Sequence, residues 1–302
     1  MYLQHFGLTE TPFSLTPNTG FFFGLAPHVE ALQVLQMALQ TGEGFIKVTG
    51  EVGTGKTLIC RKLMNDLPER FHCAYLPNPY LTPDELRWAV AMELGLKHSS
   101  QIDQQQLTGL IQQQLLALSA HGHSIILVLD EAQALPDESL EALRLFTNLE
   151  TESRKLLQVV LFAQPELDER LAQNKFRQLR QRITFSYCLR SLTLDESSAY
   201  IQHRLTVAGS ENGRLFSEQY AKRIAKAARG IPRLINVLSH KALLVAFGEG
   251  SQKIERHHVD AAIADTSDAM TSQALVVKWA IAITVIAGIS VSVLYWFKGG
   301  VI

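Results

Sequence analysis

One glycine-rich run, residues 50–57, constrains this 302-residue chain more than any other feature. It follows the pattern G-x-x-x-x-G-K-[ST], in which glycines let successive backbone N–H groups point inward around phosphate groups. The β-branched run before it, residues 45–49, predicts a strand, and residues 57–66 predict a helix whose N-terminus adds further N–H donors. The sequence therefore predicts a phosphate-binding loop between a strand and a helix, formed by Gly50, Glu51, Val52, Gly53, Thr54, Gly55, Lys56 and Thr57.

Two side chains of this loop have predicted roles toward a bound nucleotide. Lys56 would reach the β- and γ-phosphates, and the Thr57 hydroxyl would ligate Mg²⁺. A second candidate element is the continuous apolar run 124–129, which predicts a buried parallel strand and ends in Asp130 and Glu131. Acidic groups at that end of a strand lie where ligands bind in open α/β sheets, so Asp130 would hold Mg²⁺ through water and Glu131 would polarise the attacking water. The alternative is an acidic helix start with Asp130 as its N-cap.

The remaining pattern predicts an α/β fold with a parallel sheet in three layers, followed by helices only. Gln164 follows the strand predicted at residues 157–162, where it could orient the γ-phosphate or the water. The predicted organisation is an aromatic and proline-rich segment with a helix that packs on the core (1–44), the nucleotide-binding core (45–192), an all-α lid (193–265), a linker (266–278), a transmembrane helix (279–297) and a short tail (298–302).

Composition argues against some classes of function and in favour of one. A net charge of −1 gives no overall field that would recruit nucleic acid, and three widely spaced cysteines suggest neither disulfides nor a zinc site. No cleavable signal peptide is visible at the N-terminus. The run 279–297, however, has 19 residues without a charge and aromatic residues at both ends, which predicts a membrane-spanning helix. Because ATP and Mg²⁺ are cytoplasmic, we expect residues 1 to about 275 on that side.

Three arginines are further candidates. Arg180 and Arg182 precede the strand predicted at residues 183–189, and Arg233 lies in the first turn of a lid helix within Gly230-Ile231-Pro232-Arg233. The aromatic residues of the first segment, which include Phe21-Phe22-Phe23, predict either simple packing or a lip over an adenine base.

These motifs in this order resemble those of an AAA+ ATPase, a P-loop NTPase class. More narrowly, the chain resembles the ExeA/GspA and MshM-type ATPases of bacterial secretion and pilus assembly. That likeness covers about residues 1 to 265 and is carried by Phe6-Gly7-Leu8, Pro12-Phe13-Ser14, Gln164-Pro165-Glu166-Leu167, Tyr200-Ile201, His203-Arg204-Leu205 and Gly230-Ile231-Pro232-Arg233-Leu234-Ile235-Asn236.

The resemblance implies a role for each candidate. Lys56 and Thr57 match Walker A, and Asp130 with Glu131 matches Walker B. Gln164 is similar to sensor 1, where asparagine, serine or threonine is commoner. Arg233 resembles sensor 2. Arg182, or as the second choice Arg180, resembles an arginine finger, which one subunit inserts into the nucleotide site of its neighbour. Such a finger implies a homo-oligomer, and the resemblance implies a ring.

The resemblance also implies a setting: the bacterial inner membrane, and partners in pilus or secretion assembly. ExeA-like members carry a periplasmic peptidoglycan-binding domain after the membrane helix. Only residues 298–302 follow the predicted helix here, which favours the MshM type associated with MSHA type IV pili.

The leading hypothesis is therefore a membrane-anchored ATPase that hydrolyses ATP to drive assembly of an MSHA-like type IV pilus or a type II secretion complex. One alternative is a DNA-associated AAA+ ATPase of the transposition or initiator type, which the neutral charge and the membrane run disfavour. Another is a nucleotide-gated oligomeric scaffold with little turnover, which the same residues would serve.

Overall fold

A computed structural model of the chain describes residues 2–96, 102–146, 155–210 and 215–269. The chain divides into two units. An α/β unit comprises Thr16–Ser191, and a helical unit comprises the residues up to Leu15 together with those from Leu192 onward. The helical unit begins with a short helix, α1 (Tyr2–His5).

The α/β unit is built on five strands that run parallel in the order β2-β3-β4-β1-β5. The two strands that follow β2 in this order are almost entirely buried, as expected for apolar runs covered on both faces. A parallel α/β sheet, predicted from the sequence, is thereby confirmed. The strands are β1 (Phe45–Gly50), β2 (Phe71–Leu76), β3 (Ser124–Leu129), β4 (Leu157–Ala163) and β5 (Ile183–Leu189).

Helices cover both faces of this sheet, which gives the three layers. One core contains residues of α2 (Ala26–Gln40) and α3 (Lys56–Asp66) packed on alternate strand residues such as Val48. The opposite core packs on the other set of strand residues, such as Leu127. Its helices are α4 (Pro83–Glu93), α5 (Gln104–Ala120), α6 (Asp137–Phe146), α7 (Glu166–Leu171) and α8 (Arg177–Arg182).

The start of α4 shows how local sequence sets a helix boundary. Thr82 accepts a hydrogen bond from the Glu85 backbone N–H, and the Glu85 carboxylate accepts one from the Thr82 N–H in return. This capping box satisfies two backbone donors that a helix N-terminus leaves open, and Pro83 occupies a position where no N–H is needed.

Within the described residues, the helical unit contains four helices longer than α1. Residues 1–15 pack in this unit: the Thr9 N–H donates to the Ala208 carbonyl at 2.8 Å, and buried Arg204 donates to the Pro12 carbonyl at 2.5 Å. The expectation that all of residues 1–44 pack on the α/β core is therefore wrong for the first 15, because their backbone partners lie in the helical unit. Its helices are α9 (Leu194–Val207), α10 (Glu218–Ala227), α11 (Pro232–Gly248) and α12 (Arg256–Ala264).

Gly230 joins α10 to α11 at a position where only glycine fits. Its φ is +70°, and a Cβ built there would lie 2.0 Å from the Leu192 carbonyl oxygen. The Leu192 N–H in turn donates to the Gly230 carbonyl at 2.9 Å. We expect Gly230→Ala to lower the free energy of unfolding by roughly 2–5 kcal/mol, the sum of left-handed strain and overpacking. Denaturant unfolding followed by circular dichroism measures this loss.

Gly250 supplies a matched control for that substitution. Its φ is +68°, but no atom lies within 4 Å of a Cβ built there. Gly250→Ala should therefore show the backbone strain alone, about 1–2 kcal/mol. Equal losses in the two variants would contradict the assigned clash with Leu192.

In the part of the chain that the structure describes, no helix combines the length and the apolarity that a membrane crossing needs. The predicted transmembrane helix, residues 279–297, lies outside the described residues. So do the tail 298–302 and the linker from residue 270 onward.

Candidate nucleotide-binding site

The glycine-rich loop connects β1 to α3 in a conformation that depends on its glycines. Gly53 and Gly55 have φ values of 82° and 104°, which residues other than glycine rarely adopt. Gly55 is also the N-cap of α3, where no side chain caps the helix. The first N–H groups of α3 are therefore left for a ligand, and the helix dipole favours an anion such as a phosphate.

Lys56 is the cation of this loop, and it is held close to the backbone. Its side chain is only 5% exposed, and its Nζ donates to the carbonyls of Gly50 at 2.7 Å and Glu51 at 3.0 Å. Burial lowers the pKa of Lys56, although the carboxylates of Glu131 and Asp130 act to raise it. A phosphate that replaced the two carbonyls would give this ammonium group a charged acceptor and a stronger bond.

The Thr57 hydroxyl and the Asp130 carboxylate meet at the end of β3. Thr57 Oγ1 donates to Asp130 Oδ2 at 2.7 Å, and the Glu131 N–H donates to the other oxygen, Oδ1, at 3.0 Å. Asp130 is 2% exposed, and this burial raises its pKa, partly offset by the two hydrogen bonds. Its carboxylate thus faces the phosphate loop, and no α-helix begins at Asp130, so the helix-cap alternative is not supported.

This pair of oxygen donors fits Mg²⁺. The ion prefers oxygen ligands and is usually held by one or two carboxylates or hydroxyls together with substrate phosphates and water. Thr57 and Asp130 supply a hydroxyl and a buried carboxylate side by side, next to the loop that would hold the phosphates. These two residues are therefore the ones that would hold Mg²⁺.

Glu131 occupies an unusual backbone conformation beside this pair. Its φ of 54° lies in the left-handed region, which costs energy for a residue other than glycine and is found preferentially at functional sites. Its Oε2 accepts hydrogen bonds from the side-chain amides of Gln133, at 2.5 Å, and Gln164, at 3.0 Å. Burial acts to raise the pKa of Glu131, but these two bonds and the charge of Lys56 outweigh it and hold the pKa below its usual value.

Gln164 follows β4 and is brought to the same edge of the sheet. Ala163, the last residue of β4, pairs with Thr49 of β1, immediately before the phosphate loop. The structure therefore brings the loop, Asp130, Glu131 and Gln164 together, as the sequence predicted. In the described structure the Gln164 amide contacts Glu131, which the sequence did not predict.

His28 supports the phosphate loop from α2. It is 3% exposed, and its Nε2 lies 3.1 Å from the Thr54 carbonyl oxygen. A Cβ on Gly55 would approach the same Nε2 to 3.2 Å, which gives a second reason for glycine there. The nearby Phe22 ring is tilted against the His28 ring at 6.3 Å between centroids. Sequence reasoning missed His28, because one histidine in an amphipathic helix carries no spacing signal.

The two candidate finger arginines lie at the far end of the sheet from the phosphate loop. Arg182 is the last residue of α8, and the next residue, Ile183, pairs with Phe45 at the start of β1. The loop begins at Gly50, which lies five residues further along β1, or about 17 Å from Phe45. Arg180 donates to the carbonyls of Leu171, at 3.2 Å, and Ala172, at 3.0 Å, at the end of α7. Neither arginine is placed to serve its own phosphate loop.

Arg233 lies in the first turn of α11, in the helical unit, with an exposed side chain. Pro232 precedes it at the helix start, as the sequence predicted. Its role as sensor 2 stays a prediction.

Similarity to known proteins agrees with this geometry. Residues 39–171 match the family model of an AAA domain. The loop, the Asp-Glu strand end and the parallel sheet therefore agree with a P-loop α/β fold of the AAA type.

The chain is also related to a secretion protein. It is 43% identical over 267 residues, 88% of its length, to General secretion pathway protein A of Aeromonas hydrophila. It spans 49% of the length of that relative. The MshM type of the resemblance rests on the sequence motifs alone.

Solved structures share the fold. The Cdc6p protein of Pyrobaculum aerophilum has a TM-score of 0.63 at 19% identity, covering 81% of this chain and 69% of its own. The Aeropyrum pernix ORC2 protein in ADPNP–ADP complexes has a TM-score of 0.61 at 16% identity, covering 83% and 72%. The RuvB Holliday junction branch migration motor of Thermotoga maritima has a TM-score of 0.51 at 18% identity, covering 80% and 70%. At these identities the likeness extends to the fold alone.

Proposed function

We propose that this chain binds ATP with Mg²⁺ and hydrolyses it. The observation that carries the proposal is the placement of Glu131 next to the Thr57–Asp130 pair, with Lys56 in the adjoining loop. The residues proposed to hold phosphate, to hold Mg²⁺ and to accept a proton thereby lie at one edge of the sheet. Phosphoryl transfer needs little more from a protein than positioning and stabilisation of charge.

Each residue has a defined task in this proposal. The loop N–H groups and Lys56 would hold the phosphates. Thr57, and Asp130 through water, would hold Mg²⁺, whose charge would offset that of the phosphate oxygens. Glu131 accepts the proton of the attacking water, while Gln164 orients that water or the γ-phosphate. Arg233 is proposed as sensor 2 on the family resemblance alone.

The finger is proposed to act between copies of the chain. Arg182 and Arg180 are separated from their own phosphate loop by the length of β1, so charge from either could reach only a neighbour's nucleotide. Arg182 is the proposed finger and Arg180 the second candidate, in the order that the family resemblance implies. A finger supplied in this way requires a homo-oligomer, for which we propose a ring.

Two observations support the proposed cellular role. The relationship to General secretion pathway protein A supports a task in secretion or in the related assembly of type IV pili, including MSHA-like pili. The uncharged run 279–297 supports a single inner-membrane helix, with the nucleotide-binding unit in the cytoplasm. ATP turnover would then drive conformational change in a pilus or type II secretion complex.

Turnover as a function of protein concentration tests the proposal. The full chain, purified in mild detergent, is assayed for phosphate release from Mg-ATP beside Arg182→Ala, Arg180→Ala and Arg177→Ala. We expect specific activity to rise with concentration and to fall by about 10³-fold or more in Arg182→Ala, because a finger contributes that much to kcat. Arg177→Ala is the control, since Arg177 is an exposed arginine on the same helix.

The outcomes separate the parts of the proposal. A rate that does not depend on concentration or on either arginine would remove the shared site and the ring. A collapse in Arg180→Ala instead would reassign the finger. Absence of turnover at all concentrations, with ATP still bound, would favour a nucleotide-gated scaffold.

A further inference from the structure

We propose that Gln133 is a positioning residue for hydrolysis. Its side-chain amide fixes Oε2 of Glu131 and so leaves Oε1 as the oxygen that takes the proton of the attacking water. The inference rests on the proposed ATP hydrolysis and adds a residue that the Walker and sensor motifs do not include.

The contacts around Glu131 carry the first step. Gln133 Nε2 and Gln164 Nε2 both donate to the same carboxylate oxygen, Oε2, at 2.5 and 3.0 Å. Two donors on one oxygen fix the rotation of the carboxylate group as well as its position. A proton-accepting oxygen must lie within hydrogen-bond reach of the water, so this rotation decides whether Oε1 can act.

Gln133 is itself held in the orientation that this task needs. Its Oε1 accepts the backbone N–H of Gln164 at 3.0 Å, which fixes which end of the amide faces Glu131. Turning the amide over would place its oxygen against the Glu131 carboxylate and its NH₂ group against an N–H donor. Both contacts would then be repulsive, so the network allows one orientation.

The backbone of Gln133 is also fixed to the following helix. Arg170 of α7 donates from Nη1 to the Gln133 carbonyl and from Nη2 to the Leu135 carbonyl, each at 2.8 Å. Arg170 also forms an ion pair with Asp137. The turn after β3 is thus tied to the segment after β4, and the Gln133 side chain bonds to both Glu131 and Gln164.

Two features of Glu131, its backbone conformation and its long side chain, explain why its carboxylate must be held in place. Its left-handed backbone places it in a sharp turn, and a glutamate has three side-chain torsions to fix. Ordering those torsions before ATP arrives removes an entropic cost from the reaction, and a misplacement of about 1 Å can cost 10²-fold in rate. Gln133 supplies this order without touching the nucleotide.

The test compares Gln133→Met with Gln114→Met. Methionine matches glutamine in length but lacks the amide. Gln114 of α5 is the control because its Nε2 also donates a hydrogen bond, 3.0 Å to the Leu94 carbonyl. For the full chain with Mg-ATP, we expect Gln133→Met to lower kcat by about tenfold, with KM, nucleotide affinity and melting temperature as in Gln114→Met.

A double substitution asks whether Gln133 acts through Glu131. In a Glu131→Gln background, the further change Gln133→Met should lower the residual rate much less than it does in the wild type, because its target carboxylate is gone. A purely structural role would give the same factor in both backgrounds.

Each other result overturns the inference. An unchanged kcat in Gln133→Met, or a faster rate, would show that the amide does not prepare Glu131 for reaction. A loss matched by lower nucleotide affinity and melting temperature would assign Gln133 to stability. A wild-type chain without Glu131-dependent turnover would overturn the proposed function together with this inference, whereas an active wild type with an equally active Gln133→Met overturns this inference alone.

Discussion

Lys56→Ala is expected to weaken ATP binding by about 100-fold, since hydrogen bonds to charged groups contribute about 1.5–3 kcal/mol each and 1.4 kcal/mol corresponds to a factor of ten. The ammonium group now donates to two loop carbonyls, which water can satisfy after the substitution. Folding should therefore be little affected, and removing a buried charge also removes its desolvation cost. Titration with a fluorescent ATP analogue measures the change.

Lys62→Ala is the control for that measurement. Lys62 lies on the same helix, α3, and forms an ion pair with Asp66 at 2.8 Å near the protein surface. Losing this pair should cost little stability and leave ATP affinity unchanged. Equal affinities of Lys56→Ala and wild type would mean that the glycine-rich loop is not the phosphate site.

Glu131→Gln is expected to leave ATP binding intact and to lower kcat by about 10²–10⁴-fold, the usual contribution of a general base. The glutamine has the same length and can still accept hydrogen bonds from Gln133 and Gln164 through its amide oxygen. It cannot take a proton from water. Phosphate release at saturating Mg-ATP, with binding measured in parallel, separates the two effects.

The control is Glu138→Gln in the first turn of α6. Its side chain is exposed, and the helix begins after the turn that carries Glu131. Near-normal activity is expected. If Glu131→Gln also turned over normally, Glu131 would lose its role, and with it the argument for Gln133.

Most elements of the fold could be predicted because their signals are local. The bounds of β3 and β5 agree with the predicted ones, since a run of strand length bounded by turn residues is recognisable without its neighbours. The segment 1–15 was assigned to the wrong unit, because nothing in its aromatic residues specifies which surface they cover.

The candidate site divides in the same way. Lys56, Thr57, Asp130 and Glu131 could be found from sequence, since a motif of fixed spacing or a strand end marks each of them. Gln133, Arg170 and His28 could not, because their contacts join different elements. The Gln133–Gln164 bond, for example, spans 31 residues and exists only because β3 and β4 are neighbours in register.

The sequence by itself determined the class of fold, the phosphate loop and the acidic pair after β3, because short-range patterns encode backbone conformation and burial. Only the tertiary structure decided how these parts are held. In that structure Glu131 accepts hydrogen bonds from two side-chain amides, and Arg180 and Arg182 lie at the opposite end of β1 from the loop. The physical reason is that hydrogen bonds between distant residues depend on strand order and register, which the packing of the whole unit fixes.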